Sequence, residues 1–200
     1  MKPKLLLGIG IFAGVLVATI GFLGWNDSND PEKFANAPSS SSGSTASVQG
    51  ESDLLVGTSV GERAPGFNLL TVDGLNYQIQ DSLGTPTILY FSSTTCVSCI
   101  PKTQALAKLK KTFDERLNVL WIDVDLNDSE EALRQFGRKY GHPNFVYAFD
   151  KPSNQATISY KVRALGTLYL LDQHGIVQLS GINPMGTTQF ESTLKKLMAI

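Results

Sequence analysis

Apolar and polar positions divide this chain into three parts. Residues 5–25, LLLGIGIFAGVLVATIGFLGW, form an uncharged run. At about 1.5 Å rise per residue it makes a helix roughly 32 Å long, matching a hydrocarbon core of about 30 Å. Residues 1–25 are therefore predicted to be an uncleaved signal anchor holding the chain to a lipid bilayer through residues 5–25. The apolar run is long for a signal peptide, and the A-x-A-like site Ala35–Ala37 lies well beyond it and is followed by Pro38. Lys2 and Lys4 precede the span, and Asp27 and Asp30 follow it. This asymmetry predicts a cytoplasmic N-terminus and an extracytoplasmic C-terminal domain, with Trp25 at the interface. Residues 26–55 read as a flexible linker, because the Ser- and Gly-rich stretch 36–52 has too few large apolar side chains to offset its ordering entropy.

From residue 56 to 200 the pattern is that of one folded α/β domain. PGFNLLTVDGLNYQI carries a D-G turn between two apolar-containing stretches and predicts a hairpin. PTILYFSS, NVLWIDVD and NFVYAFD read as strands. Between the first two, Leu106, Leu109, Phe113 and Leu117 recur at helical spacing. Asp128 with Glu131 is the expected N-cap pair of a helix that shows Leu133, Phe136 and Tyr140 on one face and stops at Gly141. SNQATISYKV is helix-like, TLYLLDQHGIVQLSG reads as a hairpin, and Thr188 with Glu191 is the expected capping box of a last helix carrying Phe190, Leu194 and Leu197. The order β-β-β-α-β-α-β-α-β-β-α requires helical crossovers between parallel strands.

Charge narrows the partners. Lys+Arg 17 against Asp+Glu 18 leaves a net charge of −1, so no basic excess marks a nucleic-acid-binding surface. Asp123 and Asp125 alternate with apolar residues at a strand end, where solvation is the expected role and a proton relay the alternative. Tyr90, six residues before the first cysteine, is expected either to pack in the core or to face Cys96.

The chemistry concentrates in STTCVSCIPK, residues 93–102, which holds both cysteines of the chain. It lies at a strand-to-helix junction, where unpaired N–H groups and the helix dipole favour a thiolate at Cys96. A separation of three along a helix brings Cys99 back within disulfide reach. The pair suits a redox couple. A zinc site would have to recruit His142 and His174, whose spacing is unlike that of common fingers. A purely structural bridge over so short a loop would constrain the unfolded chain little. Two thiolates could also hold Cu(I), although no Met or His adjoins them. A peroxidase motif would need proline where Leu89 stands. Pro101, inside a helix, would forfeit the bond to the carbonyl of Val97 and bend the axis; at a first turn it would be tolerated.

The stretch from VGERAPGFNLLTVDG through FSSTTCVSC to YKVRALGTLYLLDQHG resembles the membrane-anchored, extracytoplasmic thioredoxin-like proteins of the TlpA/ResA type. The resemblance implies a thioredoxin-like fold with an N-terminal β-hairpin extension and thiol–disulfide exchange, with Cys96 attacking and Cys99 resolving. It implies a disulfide-bearing protein substrate, a membrane electron donor, and work of the kind done in cytochrome c or metallocentre maturation. No cofactor or metal is implied. The chain departs from the family pattern at three positions. Thr95 replaces a tryptophan before the first cysteine, Lys102 replaces a buried acid, and Gly166 replaces a proline with a cis peptide bond. Thr95, Leu165 and Gly166 are the expected substrate-binding residues, and Leu165–Gly166 is expected to be trans.

Overall fold

The computed structural model describes residues 54–198. The predicted anchor and residues 26–53 of the predicted linker lie outside them. Among the described residues no helix is long and apolar enough to cross a membrane.

The observed order reproduces the predicted alternation. The strands are β1 (Asn68–Thr71), β2 (Asn76–Gln78), β3 (Thr87–Ser92), β4 (Asn118–Asp123), β5 (Val146–Phe149), β6 (Thr167–Leu171) and β7 (Val177–Ile182). The helices are α1 (Ile100–Phe113), α2 (Glu130–Tyr140), α3 (Gln155–Ser159) and α4 (Thr188–Met198). The strands form one sheet in the order β2-β1-β5-β4-β3-β6-β7. β3, β4 and β5 run parallel through the α1 and α2 crossovers, and β6 returns antiparallel to β3. The N-terminal hairpin joins the sheet through the antiparallel pairing of β1 with β5.

β3 lies inside the sheet between β4 and β6, and all six of its residues are buried, which is why it reads as a continuous run without alternation. Its side chains still alternate between faces. Ile88 and Tyr90 pack with Trp121 of β4, Leu106 of α1, Leu133 and Phe136 of α2, Phe190 of α4 and both cysteines. Leu89 and Phe91 point the other way, to Leu120, Ile122, Phe67, Ala156 and Tyr160. The first of these is the disulfide face.

Several local expectations shift by a residue or a turn. The N-cap of α2 is Ser129, whose hydroxyl accepts the Ala132 N–H at 3.1 Å, and not Asp128, which is drawn away to another loop. The cap of α4 is Thr187, whose hydroxyl accepts the Phe190 N–H at 3.2 Å; Thr188 is already helical. α1 ends at Phe113, so the fully buried Leu117 packs from the segment leading into β4. The helix-like stretch after β5 yields only the short α3, entered through Asn154 at φ +53°.

Candidate active site

β3 delivers the chain to the C-terminal edge of the sheet between β4 and β6, and a short turn there leads toward α1. The Cys96 N–H donates to the Ser93 carbonyl at 3.2 Å and the Cys99 N–H to the Cys96 carbonyl at 3.0 Å. Val97–Cys99 thus form a 3-10 turn leading directly into α1. Cys96 and Cys99 are joined as a disulfide, with Cα atoms 5.3 Å apart. Cys96 is 8% exposed and Cys99 2%, while Val97 between them is 77% exposed and forms the tip. Pro101 is the second residue of α1, and the Val97 carbonyl is taken by the Ile100 N–H. The proline therefore forfeits nothing, which makes it a first-turn proline and excludes the bend. Lys102 follows it, half-buried.

A contact across 34 residues holds the loop before Cys96. Asp128 accepts the Thr94 N–H at 2.8 Å on Oδ2 and the Thr94 hydroxyl at 2.7 Å on Oδ1. Its own main-chain carbonyl receives the Lys151 ammonium. No spacing rule links Thr94 to Asp128, and the N-cap pattern at Asp128–Glu131 pointed to a different role. Beside them, the hydroxyls of Ser93 and Thr95 share a hydrogen bond of 2.9 Å.

The expected solvation of the strand-end acids is wrong for Asp123. That residue is 1% exposed because β3 and β5 flank it, with Ser92 and Phe149 opposite in register. Burial pushes its carboxyl up to about 8; the Asp125 N–H opposes the rise and the nearby Asp128 carboxyl adds to it. Tyr90 lies in the core, 1% exposed, and it shares a cluster with both cysteines. Burial raises its hydroxyl to about 12. The Ser92 hydroxyl tempers that rise from nearby without reaching hydrogen-bond geometry.

Gly166 differs in its backbone from the proline it replaces. The Leu165–Gly166 bond is trans; the cis bond among the described residues is Lys151–Pro152. Gly166 has φ +84°, donates to the Phe91 carbonyl at 2.8 Å and accepts the Asn183 N–H at 2.9 Å. A Cβ there would lie 2.5 Å from Asn183 Oδ1, so both the torsion and the close approach demand glycine. Asn183, itself at φ +50°, carries no motif and was not foreseen. Of the expected substrate-binding residues, Thr95 and Leu165 come together as walls of a cleft of about 340 Å³, completed by Ser93 and residues 124–127. Gly166 is buried behind Leu165. A larger hollow of about 530 Å³ beside Arg134, His142 and Tyr147 adjoins the opposite end of β5 and holds no cysteine.

Comparison with known proteins places this geometry. The AhpC/TSA family model matches residues 60–180. The chain belongs to the AhpC/TSA family. It is 28% identical over 195 residues to the thioredoxin-like protein YneN of Bacillus subtilis (strain 168), covering 97% of this chain and 98% of that one. It is 28% identical over 138 residues to the thiol-disulfide oxidoreductase ResA of Bacillus anthracis, covering 69% of this chain and 78% of that one. Among solved structures it superposes on a thioredoxin-like protein from Aeropyrum pernix with a TM-score of 0.58 and 24% identity, covering 66% of this chain and 89% of that one. The resemblance to the ResA type and the thioredoxin-like α/β fold are thereby borne out. With a CxxC pair closed on that fold, this member of the family is a thiol–disulfide oxidoreductase.

Proposed function

We propose that the protein is a membrane-tethered, extracytoplasmic reductase of protein disulfides, with Cys96 as attacking thiol and Cys99 as resolving thiol. The observation that carries the assignment of roles is the placement of the pair. Cys96 is the more exposed residue of the pair, at 8%, ahead of the 3-10 turn and α1 and between exposed Thr95 and Val97, while Cys99 is at 2% exposure underneath. Backbone N–H groups of the turn and of the first turn of α1 favour a thiolate at the mouth. The Cys96 thiolate attacks a partner disulfide and forms a mixed disulfide; Cys99 then displaces the reduced partner and closes the Cys96–Cys99 bond. An electron donor in the membrane returns the pair to the dithiol.

The partner's cysteine reaches the mouth along the cleft between Thr95 and Leu165. Leu126, Leu165 and Val97 are 53%, 39% and 77% exposed, and Leu165 precedes the glycine held between Phe91 and Asn183. Thr95 leaves room there for a side chain of the partner. Residues 5–25 place this chemistry at a bilayer, on the side where cytochrome c or metallocentre maturation would supply oxidised clients. The alternative, a non-catalytic Cu(I)-binding or assembly module, would hold its metal on the sulfurs of Cys96 and Cys99, beside which Met185 is buried in the same cluster.

The test is the reduction potential of the Cys96–Cys99 couple, measured on the full chain against thiol buffers of known potential. A value near or below about −270 mV, the thioredoxin range, fits a reductant. A value near about −120 mV refutes the direction proposed and makes the protein an oxidase. Tight stoichiometric Cu(I) binding without disulfide turnover would replace the reading altogether.

A further inference from the structure

The cleft beside Cys96 is walled by Thr95, by Leu165 and by the loop after β4. Hydrogen bonds within the protein already occupy most polar groups along those walls. The Ser93 and Thr95 hydroxyls are bonded to each other at 2.9 Å. The Val124 N–H donates to the Ser92 carbonyl at 2.9 Å, and the Asp125 N–H to Asp123 Oδ1 at 3.0 Å. Asp125 Oδ1 accepts the Asn127 main-chain N–H at 2.9 Å and its side-chain amide at 3.2 Å. What the cleft still offers is carbon: Leu126 and Leu165 are both exposed, and Val124 is half-buried.

Apolar side chains left exposed together beside a reacting sulfur mark a surface that receives a partner. The walls are also held in place beforehand. Asp128 clamps Thr94, the neighbour of Thr95, and Gly166, behind Leu165, is fixed between Phe91 and Asn183. Filling a preformed cleft therefore incurs little ordering cost. An aromatic side chain brings the largest apolar contact on only two rotatable bonds, which is why such residues anchor protein interfaces. A carboxylate would instead meet the Asp125 carboxylate at the wall.

We propose that this cleft is a side-chain subsite that takes an aromatic ring carried next to the attacked cysteine of the client, with Thr95 as the residue that admits it. The inference rests on the protein reducing client disulfides through Cys96. It names the class of client: segments in which a tryptophan, tyrosine or phenylalanine adjoins the disulfide.

Thr95 decides the specificity because it is small and stands directly before Cys96. A tryptophan at 95, the residue of the TlpA/ResA pattern, would set its own indole at the wall of the cleft. The replacement thus exchanges a ring within the chain for a ring supplied by the client. Holding that ring between Leu126 and Leu165 brings the neighbouring client sulfur to the mouth, so the gain appears in kcat/KM for attack by Cys96.

The experiment uses the reduced full chain in detergent and disulfide-linked dimers of the peptide Gly-X-Cys-X-Gly, with X tryptophan, alanine, lysine or glutamate. Reduction is followed by acid quenching and chromatography. Each rate is divided by that of dithiothreitol on the same peptide, which removes the intrinsic reactivity of the disulfide. At subsaturating peptide the tryptophan dimer should be reduced about tenfold or more faster than the alanine dimer. The lysine dimer should fall well below the tryptophan dimer, and the glutamate dimer should be slowest. Thr95→Trp, which fills the cleft, and Leu126→Ser, which removes a wall, should each bring the tryptophan-to-alanine ratio to within about twofold of unity, whatever the absolute rates. A ratio near unity in the wild type overturns the proposal, as does a ratio unchanged in either variant. A lysine dimer reduced as fast as the tryptophan dimer also overturns it, assigning the preference to the charge of Asp125. If Thr95→Trp does not fold, Leu126→Ser, a change on an exposed loop, decides alone. Failure to reduce every peptide and bis(2-hydroxyethyl) disulfide as well would instead overturn the redox assignment itself.

Discussion

Gly166→Pro restores the residue that the TlpA/ResA pattern carries at this position, and the structure says that it will damage this protein. Gly166 sits at φ +84°, whereas proline is locked near about −65°, so the backbone must swing by roughly 150° at a residue clamped on both sides. The N–H that donates to the Phe91 carbonyl at 2.8 Å disappears, leaving a carbonyl unpaired at the end of β3 for about 1–3 kcal/mol. Side-chain atoms now occupy the place 2.5 Å from Asn183 Oδ1, and forcing the torsion costs about 1–3 kcal/mol more. The sum is a destabilisation of about 2–6 kcal/mol. Denaturant unfolding of the oxidised protein, followed by the fluorescence of buried Trp121, measures it. Two further variants separate the contributions. Gly166→Ala keeps the N–H and should cost about 1–3 kcal/mol, from torsion and crowding together. Adding Asn183→Gly should recover the crowding part and leave the torsional part. A proline variant as stable as the wild type would refute the reasoning, as would a double variant no better than Gly166→Ala.

Four other outcomes follow from the same geometry. Cys99→Ser should accumulate mixed disulfides through Cys96 with a disulfide-bearing client, and Cys96→Ser should accumulate none, as read on non-reducing gels. Asp128→Ala removes both hydrogen bonds to Thr94 and should cost about 1–3 kcal/mol in unfolding experiments, with slower attack by Cys96. The Asp123 carboxyl is raised to about 8 in the folded state against about 3.9 when unfolded. Folded protein therefore binds the extra proton, and the contribution of Asp123 to stability falls as pH rises from about 4 to about 8 and is level above. Asp123→Asn should remove that slope from a series of unfolding midpoints; an unchanged slope would assign it to another group. Ser129→Ala deletes the cap of α2 and should cost about 1 kcal/mol by the same measurement.

Part of the fold was legible because local chemistry decides it. TILYFS announces an interior strand, since a strand covered on both faces has no polar side to show. The turns at Gly74 and Gly175, with φ of +75° at each, follow from sequences that favour a left-handed residue. The α2 cap was misplaced by one residue because Asp128 and Ser129 are both good caps, and a loop far back in the chain claimed Asp128 first. Asp123 was misjudged for a related reason: a strand end is exposed or buried according to its neighbours, and only the β3–β4–β5 register covers this one.

By itself, then, the sequence settled what depends on near neighbours along the chain: the alternation of strands and helices, the hairpins, and a cysteine pair at a strand-to-helix junction whose spacing lets it close. The resemblance carried by its motifs supplied the thioredoxin-like fold, which family membership bears out. Tertiary structure alone decided what depends on distant residues meeting. It brought Asp128 under Thr94, packed Asn183 against Gly166 where a proline was expected, and stacked Tyr90, Ser92 and Asp123 on the disulfide face. Hydrogen bonding and burial act over a few ångströms of space, and sheet order, which one-dimensional periodicity does not encode, determines which residues fall within that range.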